Sequence, residues 1–127
     1  MQDNIYVLPK RRAAKVGQLP PHNLPAQLTF LIGREQETQA ICAILRRPET
    51  HLLTLLGTGG IGKTRLGLRV ALDLLHDFPG GVFFIALAPI SDPELVIPAI
   101  AQTLGLRETP ERSPLEGRAF GERVYML

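Results

Sequence analysis

Gly57, Gly59, Gly60 and Gly62 stand within one eight-residue stretch, Gly57-Thr58-Gly59-Gly60-Ile61-Gly62-Lys63-Thr64. Residues of these types at this spacing suit the holding of phosphate. A turn that brings successive backbone N–H groups close to anionic oxygens has no room for side chains at its tightest positions and needs dihedrals that only glycine adopts freely. Lys63 then supplies a mobile positive charge for the β- and γ-phosphates. Thr64 offers a hydroxyl to the magnesium ion that bridges them. Both roles require a helix to begin at this point, so that its N-terminal dipole also faces the anion. The spacing GxxxxGK[ST] is that of a P-loop, and the expected ligand is a purine nucleotide, ATP or ADP with magnesium. The motif alone leaves open a kinase, a GTPase, a hydrolysing motor and a slow nucleotide switch, because function belongs to the site and not to the fold.

The flanking sequence provides the elements that such a loop needs. His51-Leu52-Leu53-Thr54-Leu55-Leu56 is a short apolar run ending on the glycines, as expected of a strand buried on both faces of a parallel sheet. A helix is predicted from about Gly62 to His76. Leu66, Val70 and Leu74 make one apolar row, and Leu68, Ala71, Leu72 and Leu75 another, so it must be packed on more than one side. Phe78-Pro79-Gly80-Gly81 breaks the pattern before a second buried strand, Val82 to Leu87. The order strand, helix, strand implies a right-handed parallel crossover. Ser91 is placed to cap a further helix running to about Leu104, with Pro93 in its first turn, Glu94 at the capping-box spacing and Gly105 to end it. Its inward stripe is Val96, Ala99, Ile100, Thr103 and Leu104. Upstream, Arg34 to Arg47 carries Ile41, Ile44 and Leu45 at helical spacing. Acids lie in its first turn and arginines in its last, and Pro48 stops it.

Before about residue 28 there is no sustained period of either kind, and Pro9, Pro20, Pro21 and Pro25 interrupt the chain, which reads as an extended, flexible leader. Lys10, Arg11, Arg12 and Lys15 crowd this arm, where solvation is the plain reading. The formal charge of +2 is too small to argue for a nucleic-acid or membrane partner. Cys42 is the single cysteine, which excludes an internal disulfide and a cysteine-rich metal site and suits a reducing, cytoplasmic setting. Its apolar neighbours predict a buried, inert thiol. No apolar run is long enough to cross a bilayer as a helix. From Leu106 to Ser113 the chain reads as a loop, Leu115 to about Arg123 as a weak helix carrying Gly117 and Gly121, and Val124-Tyr125-Met126-Leu127 as the opening of another apolar strand.

Four stretches together resemble the NB-ARC-like STAND signal-transduction ATPases, and within them bacterial regulators of the LuxR type. They are Asn23-Leu24-Pro25-Ala26-Gln27-Leu28, Phe30-Leu31-Ile32-Gly33-Arg34-Glu35, Gly57 to Leu66, and Leu87 to Glu94. The resemblance spans about residues 23 to 115. It implies an α/β fold: a P-loop NTPase three-layer sandwich with a parallel sheet, here incomplete at about three strands. Residues 1–28 would be the leader and 29–127 a partial domain truncated before its Walker B acid. It also implies that Ile32, Gly33 and Arg34 line the adenine and ribose pocket. From the residues alone, the same segment reads as a helix entry with Arg34 merely exposed. Asp92, by its position, reads as stabilising a helix N-terminus.

By the same resemblance, Val124-Tyr125-Met126-Leu127 would open the Walker B strand, cut before its acid. The leading expectation is therefore the ATP- or ADP-binding portion of a STAND-type regulatory switch, read by partner domains, with hydrolysis poor or absent and no catalytic residue named. The short sheet and its uncovered edge suggest a gene fragment or degraded paralogue. A second reading is a competent small kinase or NTPase, which needs a metal-holding acid and a group to orient the nucleophile. A third is a nucleic-acid-binding module using the basic N-terminal arm. It lacks an aromatic platform and a base-reading helix, so direct DNA binding is not expected.

Overall fold

A computed structural model describes residues 2–7, 19–26, 32–60, 62–105 and 125–126, the backbone alone for the first and last of these. Strand β1 is Gln2–Val7, helix α1 Glu35–Arg46, strand β2 Leu52–Leu56, helix α2 Lys63–Asp73, strand β3 Val82–Phe83, helix α3 Val96–Thr103 and strand β4 Tyr125–Met126. The predicted loop at 106–113, the weak helix at 115–123 and the basic cluster at 10–15 lie outside the described residues.

The strands form one sheet in the order β2-β1-β4-β3. β1 runs antiparallel to β2, with Gln2 opposite Leu56 and Tyr6 opposite Leu52, and antiparallel to β4. β4 and β3 are parallel. The directions of β2, β4 and β3 therefore agree, and β1 alone is reversed. This corrects two expectations. The first residues of the leader are a strand, and the described residues form a mixed sheet of four strands instead of a parallel one of about three. Gln2–Val7 has no alternating pattern to announce a strand. Its backbone finds partners on both sides, and that pairing, made with residues far along the chain, is what orders it.

β2 is also not buried on both faces. Leu53, Thr54 and Leu55 are half-buried, whereas Leu52 and Leu56 at its ends are exposed. Leu53 and Leu55 pack on the core and point to the side opposite Leu52 and Leu56, as the pleat dictates.

The core lies between helices and sheet. Ile41, Cys42 and Leu45 of α1 meet Leu66, Leu68, Val70 and Ala71 of α2, with Leu74, Leu75, Phe78 and Val82 completing the cluster. Both apolar rows foreseen on α2 are used. That helix ends at Asp73, and a single 3-10 turn, Leu75–Asp77, carries the chain on to the wholly buried Phe78. At its rim Arg46 reaches Asp77 at 3.1 Å and Arg69 reaches Asp73 at 3.2 Å.

β3 stops at Phe83, four residues before the expected end, and a segment of the leader runs along it. Val82 N–H donates to the Pro21 carbonyl at 2.9 Å, and His22 makes a parallel bridge with Val82. The Asn23 side chain then engages both backbone groups of Phe84. Leu24 follows into the core. The segment 21–24 thus lies along β3 on the side away from β4.

α3 is preceded by a 3-10 turn, Pro93–Leu95, which is capped by Asp92 where Ser91 was expected to cap the helix, and α3 itself has no side-chain cap. The Asp92 carboxylate accepts from Glu94 N–H at 3.0 Å. A carboxylate one residue closer reaches the orphan N–H groups of this tighter entry. Leu104 N–H closes the last turn on the Ile100 carbonyl, and Gly105, at φ +66°, ends the helix as foreseen.

Candidate functional site

The stretch Gly57 to Thr64 begins where β2 ends and finishes in the first turn of α2. Gly57, Thr58, Gly59 and Gly60 are exposed. Gly60 (φ +81°) and Gly62 (φ +80°) hold left-handed conformations, and Gly62 is the residue immediately before the helix. A Cβ at Gly59, Gly60 or Gly62 would meet no atom of the described residues within 4 Å, so these residues do not crowd the glycines. Conformation fixes Gly60 and Gly62, and the described residues leave the space outside the turn open to an anion. Ile61 lies outside the described residues.

Lys63 is the first residue of α2 and is only 7% exposed. Its ammonium donates to the carbonyls of Gly57 at 2.9 Å and Thr58 at 2.8 Å. These two acceptors satisfy a charge otherwise costly to bury, and they tie the start of the loop to the helix that follows it. Thr64 is the second residue of the helix, with its side chain exposed. Glycine backbone, ammonium and hydroxyl are thus gathered at one helix N-terminus, a donor set that matches a phosphate group and its bridging cation.

The other predicted residues sit at the entry to α1. Ile32 is 92% exposed. Gly33 has φ +84°, and its N–H faces the Glu35 carboxylate at 3.4 Å. The Arg34 guanidinium lies 3.6 Å from the Glu37 carboxylate, while its carbonyl accepts from the N–H and hydroxyl of Thr38. This is the geometry of a helix entry. Ile32 is an apolar side chain directed into open space, which sequence spacing did not foretell.

Cys42 is buried in the α1–α2 core, and burial raises its thiol above the usual range. Among the described residues no cluster of His, Cys, Asp and Glu could hold a metal ion, and no helix is long and apolar enough to cross a membrane.

What sequence reasoning missed is Asn23. It was quoted for its resemblance to a family stretch, and its structural part, pairing with Phe84 across the sheet edge, has no local signature.

The chain is 38% identical over 81 residues to a protein of Mycobacterium tuberculosis provisionally named an HTH-type transcriptional regulator, covering 62% of this chain and 9% of that protein. An uncharacterised M. tuberculosis protein is 30% identical over 95 residues, 75% of this chain and 24% of its own length. The regulatory protein AfsR of Streptomyces griseus is 29% identical over 123 residues, 86% of this chain and 13% of AfsR. This chain is related to bacterial regulatory proteins. It spans about a tenth of the length of the HTH-type relatives. No protein-family model and no solved structure matches it.

Proposed function

We propose that this chain is the ATP- or ADP-binding portion of a STAND-type regulatory switch, with the nucleotide phosphates held by Gly57 to Thr64. The observation that carries the reading is the placement of Lys63. Its ammonium lies against the Gly57 and Thr58 carbonyls, at the mouth of a glycine turn whose outer space no described residue fills. An arriving phosphate offers this ammonium a charged acceptor in place of two neutral ones, an exchange that favours the bound state. Successive N–H groups of the turn and the α2 dipole add to it.

In the same proposal Thr64 contributes a hydroxyl to magnesium, and Ile32, Gly33 and Arg34 flank the adenine and ribose. Exposed Ile32 supplies an apolar surface for a base to cover. The fold is read as part of a P-loop NTPase sandwich, with β2 feeding the loop and β4 as the strand that would lead to a metal-holding acid. The names of the relatives support a regulatory setting, transcriptional for the HTH-type proteins. A cytoplasmic setting is part of the proposal. The nucleotide state would be read by partner domains. Binding is proposed, and turnover is not.

Titration calorimetry of the whole chain with ATP and ADP, with and without magnesium, tests this. Saturable binding that Lys63→Ala abolishes and that GTP does not reproduce is expected. Absence of heat with both adenine nucleotides, or binding unchanged in Lys63→Ala, would sink the proposal.

A further inference from the structure

α1 and α2 pack against each other in the core, yet their ends are charged in opposite senses. α1 has Glu35 and Glu37 in its first turn and Arg46 in its last, the order that complements the helix dipole. α2 has no acid in its first turn and no base in its last. It opens instead with Lys63 and Arg65 and closes on Asp73. Two cations thus stand where the unpaired N–H groups of the first turn already make the surroundings positive, an order that costs the free protein stability.

Lys63 is buried and is held by the Gly57 and Thr58 carbonyls. Arg65 is exposed, and the positions of α2 within reach of its side chain offer it no acid. Three and four residues on stand Leu68 and Arg69, one apolar and the other a like charge, and Arg69 is itself engaged by Asp73 at 3.2 Å.

We propose that Arg65 is a second cation for the polyphosphate of the nucleotide, its guanidinium binding phosphate oxygens beside those held by Lys63 and the glycine turn. This rests on the reading of Gly57 to Thr64 as a phosphate cradle. Arg65 directly follows Thr64, in the turn of α2 whose N–H groups leave the helix end on the side of the loop. A guanidinium presents a fork of donors to two oxygens at once, where the ammonium of Lys63 acts as a point charge. A polyanion at this end of α2 turns the inverted charge order from a cost into a gain, since it stands at the positive pole of the dipole and beside both cations. The helix is thereby set against the empty state and toward the loaded one.

Removal of the Arg65 charge therefore acts with opposite signs on the free and the bound protein, which loss of a merely structural residue does not do. Titration calorimetry and thermal melts of the whole chain read the two effects, with ATP and inorganic tripolyphosphate as ligands in the presence of magnesium and tripolyphosphate followed by its displacement of ATP. Arg65→Gln is expected to bind both about fivefold or more weakly while the free protein melts about 1–4 °C higher. Arg65→Lys keeps the charge and is expected to stay within about threefold of the wild type in affinity and to melt with it. ATP affinity unchanged in Arg65→Gln, while Lys63→Ala abolishes binding, overturns this inference and leaves the phosphate cradle standing. Weaker binding joined to a lower melting temperature and no recovery in Arg65→Lys also overturns it, because the residue would then be structural. Tripolyphosphate bound no worse by Arg65→Gln, with ATP weakened, places the effect on the base and overturns it too. A wild type that binds neither ligand removes the cradle and this inference together.

Discussion

Asn23 grips both backbone polar groups of Phe84, its Nδ2 donating to the Phe84 carbonyl at 2.7 Å and its Oδ1 accepting from the Phe84 N–H at 2.6 Å. One side chain thereby serves as the next strand of the sheet. Loss of both bonds in Asn23→Ala should cost about 1–2 kcal/mol, at the lower end because the pair is exposed. Asn23→Asp keeps the acceptor and loses the donor, and should fall between. Urea midpoints of the three proteins check the order.

Gly81 is the hinge by which the chain enters β3 under this segment. It holds φ +115°, and a Cβ there would stand 2.6 Å from the Phe83 ring and 2.7 Å from the Pro21 carbonyl. Strain and clash act together, so Gly81→Ala should destabilise by roughly 3 kcal/mol or more. Gly105, at φ +66° with no atom of the described residues within 4 Å of its Cβ position, serves as the control. There Gly105→Ala should cost only about 1 kcal/mol. Equal losses in thermal melts would contradict the steric argument.

Lys63→Met tests the part that the ammonium plays within the protein. The substitution keeps an apolar stem in the buried site but leaves the Gly57 and Thr58 carbonyls without their donor. Stability should drop by about 1–3 kcal/mol, and hydrogen exchange should quicken at the loop and the first turn of α2. Unaltered exchange there would mean that the lysine does not tie the loop.

Cys42 should be slow to react. Its thiol is held above the ordinary range chiefly by burial, with Asp73 and Asp77 adding to the shift and Arg46 and Arg69 opposing it. At neutral pH a thiol reagent should label it only when urea opens the core. The native state keeps the proton longer than the unfolded chain does. Stability is therefore full below the unfolded thiol's pKa and falls as pH rises through the native one. Cys42→Ala should remove that alkaline component. Rapid labelling of the native protein would show that the α1–α2 core is open.

The sequence by itself determined what is local. The dihedrals at Gly60 and Gly62, the burial of Ile41 and Leu45 on α1, and both apolar rows of α2 follow from residue type and period, since each depends on neighbours a few positions away. The grouping of Gly57, Gly60, Lys63 and Thr64 was legible for the same reason. Tertiary structure alone decided the rest. Gln2–Val7 carries no pattern of its own and becomes a strand because β2 and β4 offer it partners. β2, which reads as buried on both faces, has Leu52 and Leu56 exposed. Pro21, His22 and Asn23 return to occupy the flank of β3. Backbone pairing between distant segments leaves no periodic trace in the side chains, and it is this pairing that sets which strand stands beside which.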